Sequence, residues 1–545
     1  MERPMNLVER IKGLGRALRS GTVLSVSQMR PLARMLRDTK SGALASRQVS
    51  IVDSRDEIRR SWSRVAAYAL DFIQNSGKLK GACDQVIADT VGVELILQPQ
   101  PDLTEFGYSR EETAELVALI KKRWKKWAWN PSECDARGKF TVPQMVDIGL
   151  RWNMAFGEIT GMMTYMSREE RRKYGISSGL KVCMVPPNKL AQDTNEAENL
   201  FQGVYHDENG RPVGYLFEEK ERGIIKKVRY PAKDIEGRPI VLHIFDPVDA
   251  TDVRGISVLA SALRKHAQKE TLDDATLQTA ILQTVFAAVL TSAAPSREAF
   301  EAIEAIEDDE LKEELREDFA GFLQAKMDGA KKSSININGT PTVSHLGPDE
   351  DLQFRTASTP GGNYLPFAAS LDRETARAIG VTYSSYAMDH SNATYSSVRM
   401  ETATIWPIVL RRRERLAAPL KQAIFENWLD EEVGEGRIKL KVSYEVFAAN
   451  RDKFTWALWY GPAAPTADDY KSERAVSERI SNGTSSVAME CGVKGIDPDE
   501  LFEQQEREHQ RYVEAGMRSP YERPYQQPLP DDDKPEPVKR GKKTA

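Results

Sequence analysis

Residues 364–429 constrain this chain more than any other stretch, because they read as one helix, a polar loop and a much longer helix that holds two prolines. Asn363 is a good capping type, and Pro366 falls early enough for the first turn. Phe367, Leu371 and Ile379 follow at helical spacing, and Gly380 supplies the left-handed stop. The loop then reads VTYSSYAMDHSNATYSS, with no Lys or Arg from Val381 to Val398. A second helix is expected from about Ser396 to Leu429, with Pro407 and Pro419 inside it. An interior proline removes a backbone donor and kinks the helix, and Pro407 is the expected kink.

A chain of 545 residues can bury several cores, so several domains are expected. The net charge of −5 argues against tight non-specific duplex binding, which needs clustered cations to neutralise phosphates. Cys83, Cys134, Cys183 and Cys491 lie far apart without a CxxC pair, which suits idle thiols in a reducing compartment. No apolar run approaches the roughly 20 residues of a membrane span, and the N-terminus lacks a signal-peptide core. A soluble protein made in the cytosol, with no membrane partner, is expected.

Along the chain, residues 1–50 are basic and Ser-rich, and Leu7, Ile11, Leu14 and Leu18 hint at one amphipathic helix in a loosely held arm. Helical spacing from Asp53 to about Asn75 is followed by a second helix, Gly92, and a strand over Val93–Leu97. The run KKRWKKWAW sets basic residues beside tryptophans, as single-strand binders do. Leu116, Ile120, Trp124 and Trp127 form an apolar stripe there, so a core helix with a wet basic face is the preferred reading. Around Lys181–Phe245 the period shortens to two, and Asn209-Gly210 between strand-like runs signals a hairpin.

From Val258 to Ala294 there is no Gly or Pro, which predicts one helix of about 50 Å. An acidic helix carrying Phe300, Ile303, Ile306, Leu311, Leu315 and Phe319 comes next, then a second hairpin at Asn338-Gly339. IKLKVSYEVF alternates like a strand, and three helices beginning near Thr466, Ser485 and Asp497 and stopped by Gly483, Gly492 and Gly516 close the folded part. From about Arg518 the composition predicts a disordered tail.

Chemistry is hard to find. There is no GxxxxGK[ST] loop, HExxH or GxSxG, and the six histidines show no ligand spacing. Asp308 and Asp309 lack partners for a metal. Asp389, His390 and Ser391 have the types of a catalytic triad, but sequence neighbours point apart. No catalytic residue, metal or cofactor is expected.

DRETARAIGVTYSSYAMDHSNATYSSVRMETA resembles a segment of the lambda-type phage portal family, matched at Ala376, Gly380, Tyr383, Asp389, Asn392, Tyr395, Ser396, Ser397 and Arg399. Ala393 and Thr394 separate Asn392 from Tyr395, where the family usually has Asn next to Tyr. The stretch Gly203, Val204, Asp207, Gly210, Arg211, Pro212, Val213 and Tyr215 is similar to that family's wing hairpin.

The resemblance implies an α+β subunit. Its parts would be an arm (1–50), an α/β wing (51–257), an outer stem helix (258–294) and a clip (295–362). An inner stem helix (363–380), a tunnel loop (381–395), a kinked long helix (396–430), a wing strand with helical crown (431–517) and a tail (518–545) would follow. It further implies a homo-oligomeric, dodecameric ring at one capsid vertex of the virion, assembled in the host cytoplasm. Double-stranded DNA would pass through it, and the terminase large subunit, capsid protein and a head-completion or adaptor protein would dock on it. Ser384, Ser385, Tyr386, Met388, Asp389, His390, Ser391 and Asn392 would then face DNA. The alternative is a DNA-processing enzyme, nuclease or terminase-like, which would require clustered carboxylates with a metal or a phosphate loop.

Overall fold

The computed structural model describes residues 51–285, 288–292, 304, 312–318, 320–321, 324, 350–354, 361–391, 393–465 and 469–522. The chain divides into two units, Met1–Asp53 and Ser54–Ala545; only 51–53 of the first are described. The N-terminal amphipathic helix, the Asn338-Gly339 hairpin, the helix start at Thr466 and the tail beyond Glu522 lie outside the described residues. Most of the acidic helix does too; residues 312–318 of it are helical.

The second unit mixes helix and sheet. Helices α1 (Ser54–Asn75) and α2 (Gly77–Val91) lead to strand β1 (Ile96–Pro99). Helix α3 (Arg110–Ala128) starts in a full capping box, with Ser109 and Glu112 each satisfying the other's backbone N–H. Thr141 and Gln144 do the same for α4 (Val142–Phe156). Strands β2 (Glu158–Tyr165), β3 (Leu180–Met184) and β8 (Val241–Phe245) form an antiparallel sheet in the order β3-β2-β8.

A second sheet runs β4-β5-β6-β7 through Leu200–Phe201, Val204–His206, Pro212–Glu221 and Ile224–Pro231. Its β5–β6 turn falls at the expected Asn209-Gly210. Asp207 Oδ1 accepts from the N–H groups of Asn209 and Arg211 at 2.9 and 2.8 Å, and Gly210 takes φ +80°.

The chain continues through α5 (Leu263–Val285), β9 (Ala288–Ser292), β10 (Glu350–Phe354), α6 (Tyr364–Ile379), α7 (Tyr383–Ala387) and α8 (Tyr395–Arg412). A π-helical turn, Arg413–Ala417, then passes into α9 (Ala418–Gly434). Strand β11 (Ala457–Tyr460) pairs antiparallel with β1, and α10 (Asp469–Ser481), α11 (Val487–Val493) and α12 (Pro498–Glu514) follow.

The main core gathers residues from α2, α3, α4, β2, β3, α6, α9 and β11. Trp124 stands at its centre, with ring centroids 5.5 Å from Phe425, 5.3 Å from Trp428 and 6.0 Å from Trp459, each edge-on. Trp124 and Trp127 of the basic run are therefore core, as their spacing predicts, while Trp129 is exposed. Lys421 is buried in the same region; its Nζ donates to the Leu95 carbonyl at 2.6 Å and lies 4.9 Å from the Trp459 ring. Burial pushes this amine down to about 8.

Two expectations fail here. The helix predicted to reach Ala294 ends at Val285, and Ala288–Ser292 instead pairs antiparallel with Glu350–Phe354. A short apolar run carries no period that separates buried helix from strand, and pairing with a distant segment decides it. IKLKVSYEVF forms no strand. The Arg437 and Ile438 N–H groups donate to the Glu432 carbonyl, drawing the chain onto the end of α9, and Ser443 caps a helix at Tyr444–Ala449. Smaller shifts occur at β1, which starts at Ile96, and at α11, which is capped by Ser486 and contains Gly492.

Gly157 joins α4 to β2 with φ +88°, and an added Cβ would stand 2.2 Å from the Ile256 backbone. Gly157→Ala is expected to lower stability by more than about 2 kcal/mol, from both backbone strain and clash. A urea midpoint that does not move would contradict this.

Candidate functional site

The polar loop is built on α6 and α8. Gly380 ends α6 at φ +83°, and an added Cβ would lie 3.1 Å from Ile408 of α8. Asn363, the expected cap of α6, makes no side-chain cap bond. Thr382 then caps α7, accepting from the Ser385 N–H at 3.1 Å. The loop therefore contains a helix that its composition hid. Ser384 and Ser385 are half-buried on α7, and Ser384 bonds Glu401 of α8. Tyr386 is 3% exposed and belongs to the main core. It is thus corrected from a DNA-facing residue to an anchor, because α7 packs this side of itself into the core.

Met388 adopts φ +52° and is 78% exposed. Asp389 and His390 follow, exposed, and so does Ser391. Asn392 lies outside the described residues. Asp389 Oδ1 accepts from the Ser391 N–H at 3.1 Å and from its Oγ at 2.6 Å. These bonds hold the Asp389 carboxyl below its usual range. They also join Asp to Ser directly, so no imidazole relays between them and the triad types form no triad. Thr394 and Ser397 close the loop with reciprocal bonds that start α8. A cleft of about 980 Å³ opens between α6, α7 and α8, and Arg373 stacks 4.6 Å over Tyr383 on its wall.

The base of α6 is tied to two other helices. Lys78 of α2 lies 2.9 Å from Asp372, and Lys269 of α5 lies 2.5 Å from Asp273 and 3.7 Å from Asp372. The Tyr364 hydroxyl donates to Asp273 at 2.6 Å.

The long helix is continuous but not regular. Pro407 sits exposed inside α8, while the departure from α geometry falls at Arg413–Ala417, where the Ala418 N–H reaches back to Arg413. Pro419 follows directly and has no N–H for the Arg415 carbonyl, which accounts for the wider turn there. Two arginines at this turn cap other helices. Arg412 Nη2 donates to the Ile379 carbonyl at the end of α6, at 2.7 Å. Arg413 Nε donates to the Thr90 carbonyl near the end of α2, at 2.9 Å. Sequence reading missed both, because Arg412 and Arg413 sit inside the charged run Arg411–Arg415, where nothing local separates them from their exposed neighbours.

Part of the basic run of α3 is paired within the chain: Lys121 meets Asp497 and Asp499, Arg123 meets Glu432, and Lys125 meets Glu500, while Lys122 and Lys126 are exposed. Among the described residues, no group of three or more His, Cys, Asp or Glu could hold a metal ion. No helix among them is long and apolar enough to cross a membrane.

Comparison with known families gives a match to phage portal protein, lambda family, over residues 40–413. The chain belongs to the lambda family of phage portal proteins. Portal protein B of Escherichia phage lambda is 25% identical over 468 residues, covering 84% of this chain and 86% of that one. The portal protein of Escherichia phage N15 matches at the same identity and coverage.

Among solved structures, the neck of a native gene transfer agent particle computed with C12 symmetry shares 12% identity. It covers 83% of this chain and 96% of that one, with a TM-score of 0.37. The neck of an empty particle, computed with C6 symmetry, shares 16% identity over 71% and 84%, with a TM-score of 0.38. The exposed tip Met388–Ser391 of this portal family member lies inside the matched region, as do α6, α7 and α8 up to Arg412.

Proposed function

We infer that the chain is a structural ring subunit, with no enzymatic role of its own, and that copies of it close around a channel for double-stranded DNA. The observation that carries this reading is the family match across 40–413, which includes the helix–tip–helix element ending in Met388–Ser391. The ring would be a dodecamer, as the family implies, set at the portal vertex of the virion and assembled in the host cytoplasm. It would serve packaging and ejection, and dock the terminase large subunit, the capsid protein and a head-completion or adaptor protein.

In this reading Met388, Asp389, His390 and Ser391 face the duplex, with Asn392 beside them in sequence. Ser384 and Ser385 support that tip from α7, and Pro407 would add a bend to the long helix ahead of its π-helical turn at Arg413–Ala417. A tip without Lys or Arg can touch DNA while forming few phosphate salt bridges, so sliding meets little drag. Ring closure needs only one head-to-tail interface repeated around an axis.

The test combines mass and function. Light scattering of the purified protein is expected to give a closed ring many times the mass of the subunit. Asp389→Ala with His390→Ala is expected to leave that mass unchanged while lowering DNA packaging yield. A protein that remains a single copy under all conditions, or that cleaves DNA with magnesium, would remove this reading in favour of a DNA-processing enzyme. Loss of assembly in the double variant would assign the tip to a subunit interface.

A further inference from the structure

Residues 469–522, which carry α10, α11 and α12, contribute nothing to the three hydrophobic clusters found among the described residues. Their buried positions are Glu490, Cys491, Gly492, Asp497 and Ser519, and α12 buries no residue at all. A helix of this length without a packed face is marginal by itself. Something other than a core must hold it.

Two contacts do so. The first is the root. Arg413 Nη2 donates to the Pro462 carbonyl at 2.8 Å, and a Cβ on Gly461 would stand 2.5 Å from the same guanidinium. Nearby, Gly492 of α11 lies so close to Tyr460 that a Cβ would meet the ring at 2.9 Å. The second contact is a set of ion pairs from α3. Lys121 Nζ is 3.0 Å from Asp497 and 2.7 Å from Asp499, and Lys125 Nζ is 2.9 Å from Glu500. Asp497 is also the N-cap of α12, accepting from the N–H groups of Asp499 and Glu500. One carboxylate therefore both starts the helix and fastens it.

Beside these pairs the helices do not close on each other. A cleft of about 720 Å³ separates Val117 and Ala118 of α3 from Phe502 of α12, which is 67% exposed. Charge, rather than packing, bridges the two.

We propose that residues 469–522 are an electrostatically latched arm. It is fixed at Gly461 and Pro462, held on α3 by Lys121 and Lys125, and disengages as a unit when those pairs are broken or screened. The two pairs differ in weight. Lys125 and Glu500 are 56% and 58% exposed and yield first, whereas Lys121 and Asp497, 10% and 7% exposed, hold until salt nears about 1 M, where the screening length falls to about 3 Å. The latch stands apart from the channel reading, since it rests on contacts within one chain.

Hydrogen exchange of the full-length chain tests it, with mass recorded by light scattering so that compared samples share one assembly state. In the unsubstituted protein, exchange of the 498–514 amides is expected to rise about five-fold or more between low salt and about 1 M salt, with α3 and β1 unchanged. Lys121→Met is expected to reach the fast rate already at low salt. Lys125→Glu should speed exchange, and adding Glu500→Lys should restore protection, which a merely misfolded variant would not do. Equal protection of 498–514 in the Lys121→Met variant and the parent, or no rescue by the swapped pair, would overturn the latch.

Discussion

Arg254→Met is expected to lower the stability of the α/β part by about 3–5 kcal/mol, the range for stranding one member of a buried ion pair. Arg254 and Glu158 are both 0% exposed. Arg254 Nε donates to the two Glu158 oxygens at 2.9 and 2.8 Å, and Nη2 bonds the same carboxylate. The remaining donors reach the carbonyls of Gln202 at 3.0 Å and Pro187 at 3.2 Å, and the guanidinium lies 4.7 Å over the Trp62 ring. Glu158 also accepts from His243 Nε2 at 3.0 Å and from the Gly255 N–H at 3.2 Å. One side chain thus fastens both sheets to α1.

Methionine keeps much of the volume and none of the donors, so a desolvated carboxylate and two buried carbonyls lose their partner. Urea unfolding followed by tryptophan fluorescence checks this. Arg254→Met with Glu158→Leu should recover part of the loss, because an apolar pair leaves no stranded charge. A single variant within about 1 kcal/mol of the parent would contradict the argument.

The same pair fixes an acid limit. Burial alone would raise the Glu158 carboxyl, but the charge of Arg254 and the hydrogen bonds from His243 and Arg254 outweigh it and hold the group at about 2. A carboxyl lower in the folded state than its ordinary 4.5 adds stability that is complete above 4.5 and fades as pH falls toward 2. The contribution is on the order of 3 kcal/mol, and it should be missing from the pH profile of the Arg254 variant.

What could be read from the chain beforehand follows the range of the forces involved. Capping and turn chemistry are local, so Gly380, the Asn209-Gly210 turn and the Asp497-Pro498 helix start fell where their residue types put them. The stripe of Leu116, Ile120, Trp124 and Trp127 was readable because burial follows helical period.

Pairing between distant segments left no such trace. Ala288–Ser292 is a strand only because Glu350–Phe354 lies beside it, and β1 finds its partner in Ala457–Tyr460 across most of the chain. In the candidate site, composition marked out the polar tip but not its depth. Tyr386 and Ser385 share a loop-like sequence, and only the fold of α7 onto the core separates the buried residue from its half-buried neighbour. The arginines that cap α6 and α2 are likewise chosen by which carbonyls arrive near them.

Glu431→Ala is expected to cost about 3–5 kcal/mol, more than its place at the end of a helix suggests. Helix C-termini disfavour acids, yet α9 carries Asp430, Glu431 and Glu432 in succession, all buried. Each has its own main partners, although Glu431 and Glu432 share Arg437. Asp430 meets Arg238 and Arg451, Glu432 meets Arg123 and Arg437, and Glu431, 3.3 Å from the same Arg437 and 3.8 Å from Arg171, points at the entry to β3. There Oε1 accepts from the Gly179 N–H at 2.5 Å, and Oε2 accepts from the Leu180 N–H at 3.0 Å and from Ser178 Oγ at 2.7 Å.

Ser178 and Leu180 are 1% and 0% exposed, so water cannot replace the carboxylate without opening the strand. Alanine therefore strands two backbone donors and a hydroxyl at once, each worth about 1–3 kcal/mol when buried. Glutamine is the sharper comparison. It keeps one acceptor oxygen but turns an NH2 toward a backbone N–H that can only donate, so it should recover less than half of the loss. Equal stability of the Gln variant and the parent would show that the negative oxygens are not what holds β3 to the long helix.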